Sequence, residues 1–293
     1  MKRLVINADD LGLAASVNRG IFDTIEGGVV TSTSLIVNMA ACDDAIERLR
    51  DWRSRGDART LSVGLHFNIV AGTPKGVCPS LVQRTSRRFH SLPVLAWKAF
   101  TRQIAPSDVE SELEAQLARA KQVLAPLGMR VSHIDSHRHV HCLPGVFEVV
   151  LRTAKRHGIG HVRHPYETQR LIARPRALLA AHLLRAVAPK ERPLDDVAFA
   201  GIGAMGSRTF ANDIAALITA LPAGTTELMV HPGYDSAELA ALDAYRAPRE
   251  RELRALTSPA LRDRILELGV QLTPFDARAA SGSAARGQVS AAS

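Results

Sequence analysis

The chain begins with Arg3-Leu4-Val5-Ile6-Asn7-Ala8-Asp9-Asp10-Leu11-Gly12-Leu13, a run of mostly apolar residues that ends in two acids. The run predicts a buried β-strand over residues 3–8. α/β proteins usually place their chemistry at the carboxyl ends of parallel strands, which is where Asp9 and Asp10 fall. One acid could simply cap the helix that starts near Ala14, but two adjacent acids indicate a second role.

Strand and helix patterns then alternate roughly seven times along the chain. Further strands are predicted at residues 29–37, 61–68, 161–163, 197–200, 227–230 and 270–273, and helices at 14–27, 41–53, 107–127, 144–157, 209–220 and 249–268. The alternation predicts a parallel sheet with helical crossovers. Polar residues at successive strand ends favour a closed or nearly closed barrel over an open sheet. We expect one domain over residues 1–277 and a disordered tail over 278–293.

A second polar stretch, residues 131–144, has His133, Asp135, His137, His139 and His141 at every second position. Alternate residues of an extended backbone share one face, so the pattern predicts one row of imidazoles and a carboxylate. A solvated polar face would be the simpler interpretation of one histidine. Closely spaced histidines repel one another when charged, so a run of them favours a metal site or proton transfer.

Two more histidines, His66 and His231, lie near the ends of predicted strands. A lone histidine on an apolar strand is more often a core residue, but the position of His66 matches that of Asp10. The strand-end residues together are Asp9, Asp10, His66, Asp135, His137, His139 and His231. One carboxylate and two imidazoles would hold one divalent ion and leave it open positions, with Zn²⁺ the first choice and Mg²⁺, Mn²⁺, Ni²⁺ or Co²⁺ also accepted. With a second carboxylate as base and a histidine as acid, such a site could hydrolyse an amide or an ester.

Composition excludes several other classes of protein. The net charge of +8 could indicate nucleic-acid binding, but the arginines are spread through helices and aromatic residues make up only 4%. No window approaches the roughly 18 apolar residues that span a bilayer. Three cysteines without a C-x-x-C pair, and a start unlike a signal peptide, favour a cytoplasmic protein. No G-x-G-x-x-G or G-x-S-x-G motif is present, so nucleotide binding and a serine nucleophile have no support.

Four motifs in order resemble the YdjC-like carbohydrate deacetylase family over roughly residues 2–276. The motifs are Asn7-Ala8-Asp9-Asp10-Leu11-Gly12, Gly64-Leu65-His66-Phe67, His133-Ile134-Asp135-Ser136-His137-Arg138-His139-Val140-His141 and Val230-His231-Pro232. The resemblance implies a distorted TIM-like (β/α) barrel of about seven strands. It also implies metal-dependent removal of an acetyl group from an N-acetylated sugar, such as a chitooligosaccharide or another glycan or glycolipid.

The resemblance also implies roles for individual residues. Asp10, His66 and His137 would be the metal ligands, Asp9 the general base and His231 the general acid. Asp135 and His139 would support the ligands. Tyr245 and Arg249 match a Y-x-x-P-R segment and would position substrate or hold Asp9.

Two alternatives to a deacetylase stay open from the sequence. A metal-dependent phosphoesterase on a barrel would use similar Asp and His clusters, usually with two metal ions. A non-catalytic basic binding protein would need neither Asp10 nor His66. Residues 71–106 and 165–210 depart from the family pattern, so the sugar is left open, as is a homodimer.

Overall fold

The computed structural model describes residues 1–56, 60–165, 167 and 194–275 of the 293-residue chain. In this part of the chain the strands are β1 (Lys2–Leu11), β2 (Ser32–Leu35), β3 (Ser62–Phe67), β4 (Val131–Ser136), β5 (His161–Val162), β6 (Val197–Ala200), β7 (Gly224–Val230) and β8 (Gln271–Leu272). All of their pairings are parallel.

Helices connect the strands on the outside of the sheet. Among the described residues they are α1 (Ala15–Glu26), α2 (Cys42–Ser54), α3 (Leu92–Phe100), α4 (Pro106–Leu124), α5 (Phe147–Arg156), α6 (Phe210–Thr219), α7 (Ala237–Leu242), α8 (Ala247–Leu256) and α9 (Pro259–Glu267). Short 3₁₀ turns follow α4, β4 and β6, at Ala125–Leu127, His137–Cys142 and Ile202–Ala204.

The sheet runs in the order β5-β4-β3-β2-β1-β7-β6. The short β8 pairs with the first residues of β1, at Arg3 and Leu4. The pairing of β1 with β2 begins further along the strand, at Asn7. A parallel bridge between Glu167 and Phe199 joins the chain after β5 to β6 and brings the two edges together. The expectation of a distorted (β/α) barrel of about seven strands is therefore confirmed.

The first strand is the centre of this sheet, as its sequence predicts. Leu4 to Leu11 are all buried, because β2 and β7 flank the strand and helices cover it. The predicted stripe of α4 also packs inward at Val109, Leu113 and Leu117. Each fully buried leucine or valine contributes about 1.5–3 kcal/mol relative to an exposed one.

Three sequence predictions need correction or fall outside the described residues. The histidine row is not one strand, because β4 ends at Ser136 and His137–Cys142 forms a 3₁₀ turn. The helix predicted over 249–268 is two helices, α8 and α9, because Pro259 disfavours helical geometry at Ser258 before it. Residues 168–193, residues 276–277 of the predicted domain and the tail 278–293 lie outside the described residues.

Within the part of the chain described, no helix is both long enough and apolar enough to cross a bilayer.

Candidate metal centre and active site

The two acids that end the first strand point to different neighbours because the backbone turns sharply between them and α1. Asp10 has a φ of +72° and Gly12 a φ of +95°, both in the left-handed region. A Cβ on Gly12 would lie 2.6 Å from the carbonyl oxygen of Ile36, so this turn requires glycine. The pairing of β1 with β2 also shifts register between Ala8 and Leu11. Both acids are buried as a result.

Asp10 is the centre of the first group of residues. Its Oδ1 lies 2.8 Å from His137 Nδ1 and 3.2 Å from His66 Nε2. Its Oδ2 accepts a hydrogen bond of 2.6 Å from Arg249 Nη2. Burial alone would raise the pKa of Asp10, but the charges of His137 and Arg249 lower it well below its usual range. One oxygen and two imidazole nitrogens, all buried, thus lie within 4.8 Å of one another.

His66 is oriented from behind by Asp135. Asp135 Oδ1 lies 2.8 Å from His66 Nδ1, and Ser34 Oγ lies 3.0 Å from the same nitrogen. A histidine that donates its Nδ1–H to a carboxylate offers Nε2 as a ligand, which is the usual support of a metal-binding imidazole. Burial would lower the pKa of His66, but Asp135 and Asp10 raise it to about 10. The surroundings of this ring therefore favour a positive charge at Nε2, either a proton or a metal ion.

The 3₁₀ turn after β4 aims His137 at Asp10. Arg138 and His139 have φ values of +54° and +53°, which is uncommon for residues other than glycine. His141 holds the turn, since Ser136 hydrogen bonds to its Nδ1 and its Nε2 lies 2.8 Å from the carbonyl oxygen of Arg163. Through His141, the turn that carries His137 therefore contacts Arg163, which pairs with Asp9.

Asp9 forms a buried, two-pronged ion pair with Arg163. The guanidinium donates from Nη1 to Oδ2 at 2.6 Å and from Nη2 to Oδ1 at 2.7 Å. The same Nη2 lies 2.7 Å from Asp135 Oδ2 and 2.7 Å from Glu227 Oε1. Burial would raise the pKa of Asp9, but the charge and hydrogen bonds of Arg163 lower it far below its usual range. Asp9 is thus charged and fixed in place.

A further pair of residues supports Arg163 from outside. His161 Nε2 lies 3.2 Å from Glu227 Oε2, and its Nδ1 lies 3.0 Å from Asp195 Oδ1. Burial would lower the pKa of His161, but its two carboxylate partners raise it to about 9. Burial would raise the pKa of Glu227, but Arg163 and His161 lower it to about 2. The two groups are therefore a buried ion pair.

His231 faces Asp9 from the end of β7. Its Nε2 lies 3.9 Å from Asp9 Oδ2, while its buried Nδ1 has no hydrogen-bond partner among the described residues. Glu252 holds this strand end, since Oε2 accepts the backbone N–H of His231 and Oε1 accepts the Tyr245 hydroxyl, each at 2.5 Å. Burial and the charge of Glu252 raise the pKa of Tyr245, so the phenol stays protonated. The Tyr245 ring meets His231 edge-on, with 5.5 Å between ring centroids.

A cavity of about 220 Å³ opens onto these groups. Its polar lining includes Asp9, Asp10, His66, His137 and His231, and also Arg138, Asp243, Tyr245 and Arg249. Met205, Met229 and His139 form a less polar wall. The pKa of His139 falls to about 3 because the ring is buried near Arg163, so the imidazole is neutral.

The structure brings the predicted site residues together, with one difference. Arg249 contacts Asp10 and Asp243, not Asp9 as one sequence interpretation had it. His133, which was not among the predicted site residues, lies outside the site: its ring packs against Gly64, and its centroid lies 4.3 Å from that of Phe275 with the ring planes tilted by 39°.

The sequence interpretation missed Arg163 and Glu227, which are central to the structure. A signal for each was present. Arg163 is the last residue of the short strand predicted at 161–163, and Glu227 is a charge that begins an otherwise apolar strand. A charged residue in a buried parallel strand needs a partner of opposite sign, so these two could have been expected to meet.

The donor set fits a divalent ion on chemical grounds. One carboxylate and two imidazoles are a common ligand set for catalytic zinc and leave open positions. A second group, Asp9, His66 and Asp135, has similar spacing. Arg163 already neutralises both carboxylates of that second group, which leaves Asp10, His66 and His137 as the better cation site.

Fold and site together define a parallel (β/α) barrel protein with a buried Asp-His-His cluster at the carboxyl ends of its strands. The family model of YdjC-like proteins matches residues 3–267. The chain belongs to the YdjC-like family, and the resemblance seen in the four motifs is confirmed.

Relatives of this chain span nearly its whole length. A carbohydrate deacetylase of Geobacillus stearothermophilus is 34% identical, over 92% of this chain and 96% of the relative. A chitooligosaccharide deacetylase of Serratia marcescens is 31% identical, over 94% of this chain and 98% of the relative. A crystal structure from Enterococcus faecalis V583, of a candidate cellobiose-phosphate cleavage protein, has a TM-score of 0.69 at 25% identity and covers 94% of this chain and 98% of its own.

Proposed function

We propose that this protein is a metal-dependent carbohydrate N-deacetylase, which hydrolyses the acetamide of an N-acetylated sugar to acetate and a free amine. One observation carries the proposal. Asp10, His66 and His137 form a buried three-donor cluster directly beside Asp9, in a chain whose relatives include carbohydrate deacetylases.

Asp10, His66 and His137 would hold the ion, with Zn²⁺ as our first choice. A divalent ion at this position supplies Lewis-acid activation of the amide carbonyl and of a water molecule. The chain prepares the site for it: Asp135 orients His66, the turn at 137–142 orients His137, and Arg249 fixes Asp10.

Asp9 would accept the proton of the attacking water. Its bidentate pairing with Arg163 fixes the carboxylate in position and keeps it deprotonated, at the cost of basicity. A base with such a low pKa suffices only for a water molecule that has itself been made acidic. The pairing of Asp9 with Arg163 therefore supports a mechanism that depends on the ion.

His231 would protonate the departing amine. Its Nε2 lies 3.9 Å from Asp9 Oδ2, its Nδ1 has no hydrogen bond to the described residues, and the Tyr245 ring packs edge-on against it. Glu252 fixes both the backbone of His231 and the Tyr245 hydroxyl, so it sets the position of this acid.

The substrate we propose is an N-acetylated sugar of the kind that the names of the relatives indicate. Arg138 and Asp243, at the mouth of the cavity, offer donors and acceptors for sugar hydroxyls, and Met205 and Met229 offer apolar surface for a ring face. The chitobiose-type substrate is one choice among several, because residues 71–106 depart from the family pattern.

The phosphoesterase alternative is less well supported by these contacts. A two-metal mechanism would need the Asp9, His66 and Asp135 group to bind a second ion. Arg163 occupies that place with a fixed positive charge, which disfavours another cation. We therefore expect one ion per chain.

The test is acetate release from N-acetylated mono-, oligo- and lipid-linked sugars, before and after chelation and with metal added back. The proposal predicts that at least one of these sugars releases acetate. Chelation should abolish the release, and an added divalent ion should restore it. A phosphate ester panel is run beside it. Phosphate release with no acetate release, or two ions per chain by metal analysis, would favour the phosphoesterase.

A further inference from the structure

The connection between β3 and α4 is a structured insertion on the same side of the barrel as the site. It starts just after His66 at the carboxyl end of β3, contains α3, and ends at Pro106. Glu112 of α4 anchors it by accepting the backbone N–H groups of Lys75 at 2.9 Å and of Gly76 at 2.6 Å. The insertion is therefore held against the barrel.

α3 is apolar on two opposite faces. Leu95 and Ala99 pack into the protein. Val94, Trp97 and Phe100, three residues apart, share the other face, and Trp97 and Phe100 are each 58% exposed. A helix that is apolar all round is normally buried on all sides. The outer face of α3 therefore lacks a covering partner in the described part of the chain, which marks it as an interaction surface.

The charges within the insertion that carries this face are of one sign. Between Asp57 and Asp108 the sequence has no acidic residue but seven lysines and arginines. The exposed cations of the insertion are Lys75, Arg84, Arg87, Arg88 and Arg102. Val77, in the same insertion, adds another apolar side chain that is 81% exposed.

We propose that α3 and the loop before it dock the protein onto the surface of an anionic phospholipid bilayer. Trp97 and Phe100 enter the interface between headgroups and acyl chains, where aromatic rings are favoured. The surrounding arginines contact anionic headgroups. The helix lies on the bilayer and does not span it, and the proposal does not depend on the deacetylase activity.

An exposed apolar helix face together with exposed cations favours a bilayer over other partners. A symmetric contact between two copies of the chain would bring the same cations against one another. A neutral sugar would leave the arginines without a counter-charge. A nucleic acid would match the arginines but gains little from Val94 and Phe100.

Trp97 gives a direct measurement of this docking. The protein has two tryptophans, and the other, Trp52, is buried at 2% exposure. A blue shift of the emission on mixing with vesicles therefore reports on Trp97. We expect the shift, and co-sedimentation, with vesicles of phosphatidylcholine and phosphatidylglycerol but not with phosphatidylcholine alone. No binding to the mixed vesicles would overturn the proposal.

The apolar contribution is tested with Trp97→Ser combined with Phe100→Ser, read by co-sedimentation. We expect a loss of vesicle binding of about tenfold or more, since both side chains lose interfacial area. Leu266→Ser, at a residue that is 69% exposed on α9, is the matched control and should bind as the wild type does. Equal loss in the control, or wild-type binding by the double variant, contradicts the proposal.

The charge contribution is tested with Arg87→Gln combined with Arg88→Gln. We expect weaker binding to the mixed vesicles, by about tenfold, and weaker dependence on salt. Arg50→Gln combined with Arg53→Gln, at exposed positions on α2, removes the same charge elsewhere and should have little effect. Two results would assign the face to another partner. One is a dimer, detected by light scattering, that requires Trp97. The other is vesicle binding by the protein that nucleic acid displaces and anionic lipid does not.

Discussion

The site has two sides, one around Asp10 and one around the adjacent Asp9, and the two carboxylates have different kinds of partner. On one side, Asp10 lies among imidazoles, with His66 and His137 within 3.2 Å of one of its oxygens. On the other side, Asp9 has both oxygens taken by the single guanidinium of Arg163. Imidazole nitrogens can exchange a proton for a metal ion, whereas a guanidinium excludes one.

This difference assigns separate tasks to the two sides. The Asp10 side provides ligands that a metal ion can use, and the Asp9 side provides a fixed carboxylate that Arg163, and not a metal ion, neutralises. Asp135 joins them, since one oxygen contacts His66 and the other contacts Arg163. Variants on each side should therefore separate metal content from catalytic rate.

The largest effect is expected from His137→Ala. It removes one of three ligands, so both metal content and acetate release should fall, the rate by roughly 100-fold or more because metal activation contributes several kcal/mol. His157→Ala, at a surface histidine paired with Glu114, is the control. Full metal content with full rate in the His137 variant would remove this residue from the ligand set.

Asp9→Asn should reduce the rate while leaving the metal bound. The amide cannot accept a proton, and loss of a general base costs about 10²–10⁴ in rate. Metal analysis and acetate release on the same sample check the expectation. If metal content falls together with the rate of acetate release, Asp9 is a metal ligand. The distinction between the two sides would then be wrong.

Asp135→Asn should weaken metal binding by about 10–100-fold, because it removes the carboxylate that orients His66. Added metal should then restore most of the activity, which a lost ligand would not allow. Asp195→Asn, which changes a partner of His161 at the outer edge of the same charge network, should leave metal affinity unchanged. Equal effects of the two variants would indicate a general loss of stability.

Much of the fold and of the Asp10 side could be predicted from the sequence. A continuous apolar strand followed by Asp9 and Asp10, and a strand ending in His66, are local patterns that determine where these residues lie. The position of His137 could not be read from alternation. It depends on left-handed residues at 138 and 139 and on the contact of His141 with the Arg163 backbone, both of which form only in the folded chain.

The Asp9 side was harder to predict because its partners are far apart in the sequence. Arg163 and Glu227 come from β-strand regions that adjoin Asp9 only once the barrel forms, and each is a single charge in an apolar context. The motif that contains Arg249 led to the prediction that it positions substrate or holds Asp9. Only the position of α8 relative to β1 decides that its partner is Asp10.

The smallest expected effect tests the outer part of the Asp9 side through pH. The pKa of His161 is raised to about 9, above its ordinary 6.5, so its ion pair with Glu227 stabilises the fold fully below pH 6.5 and loses that contribution as the pH rises through 9. His161→Gln should therefore show a shallower fall in stability over this range, by on the order of 1 kcal/mol. Urea unfolding at both ends of this pH range measures the difference in stability.

Metal affinity should be unchanged in the His161 variant, because no contact of His161 reaches Asp10, His66 or His137 in the described structure. A pH profile identical to that of the wild type would show that the charge on His161 does not support Arg163, and that Glu227 and Asp135 hold the guanidinium against Asp9 without it.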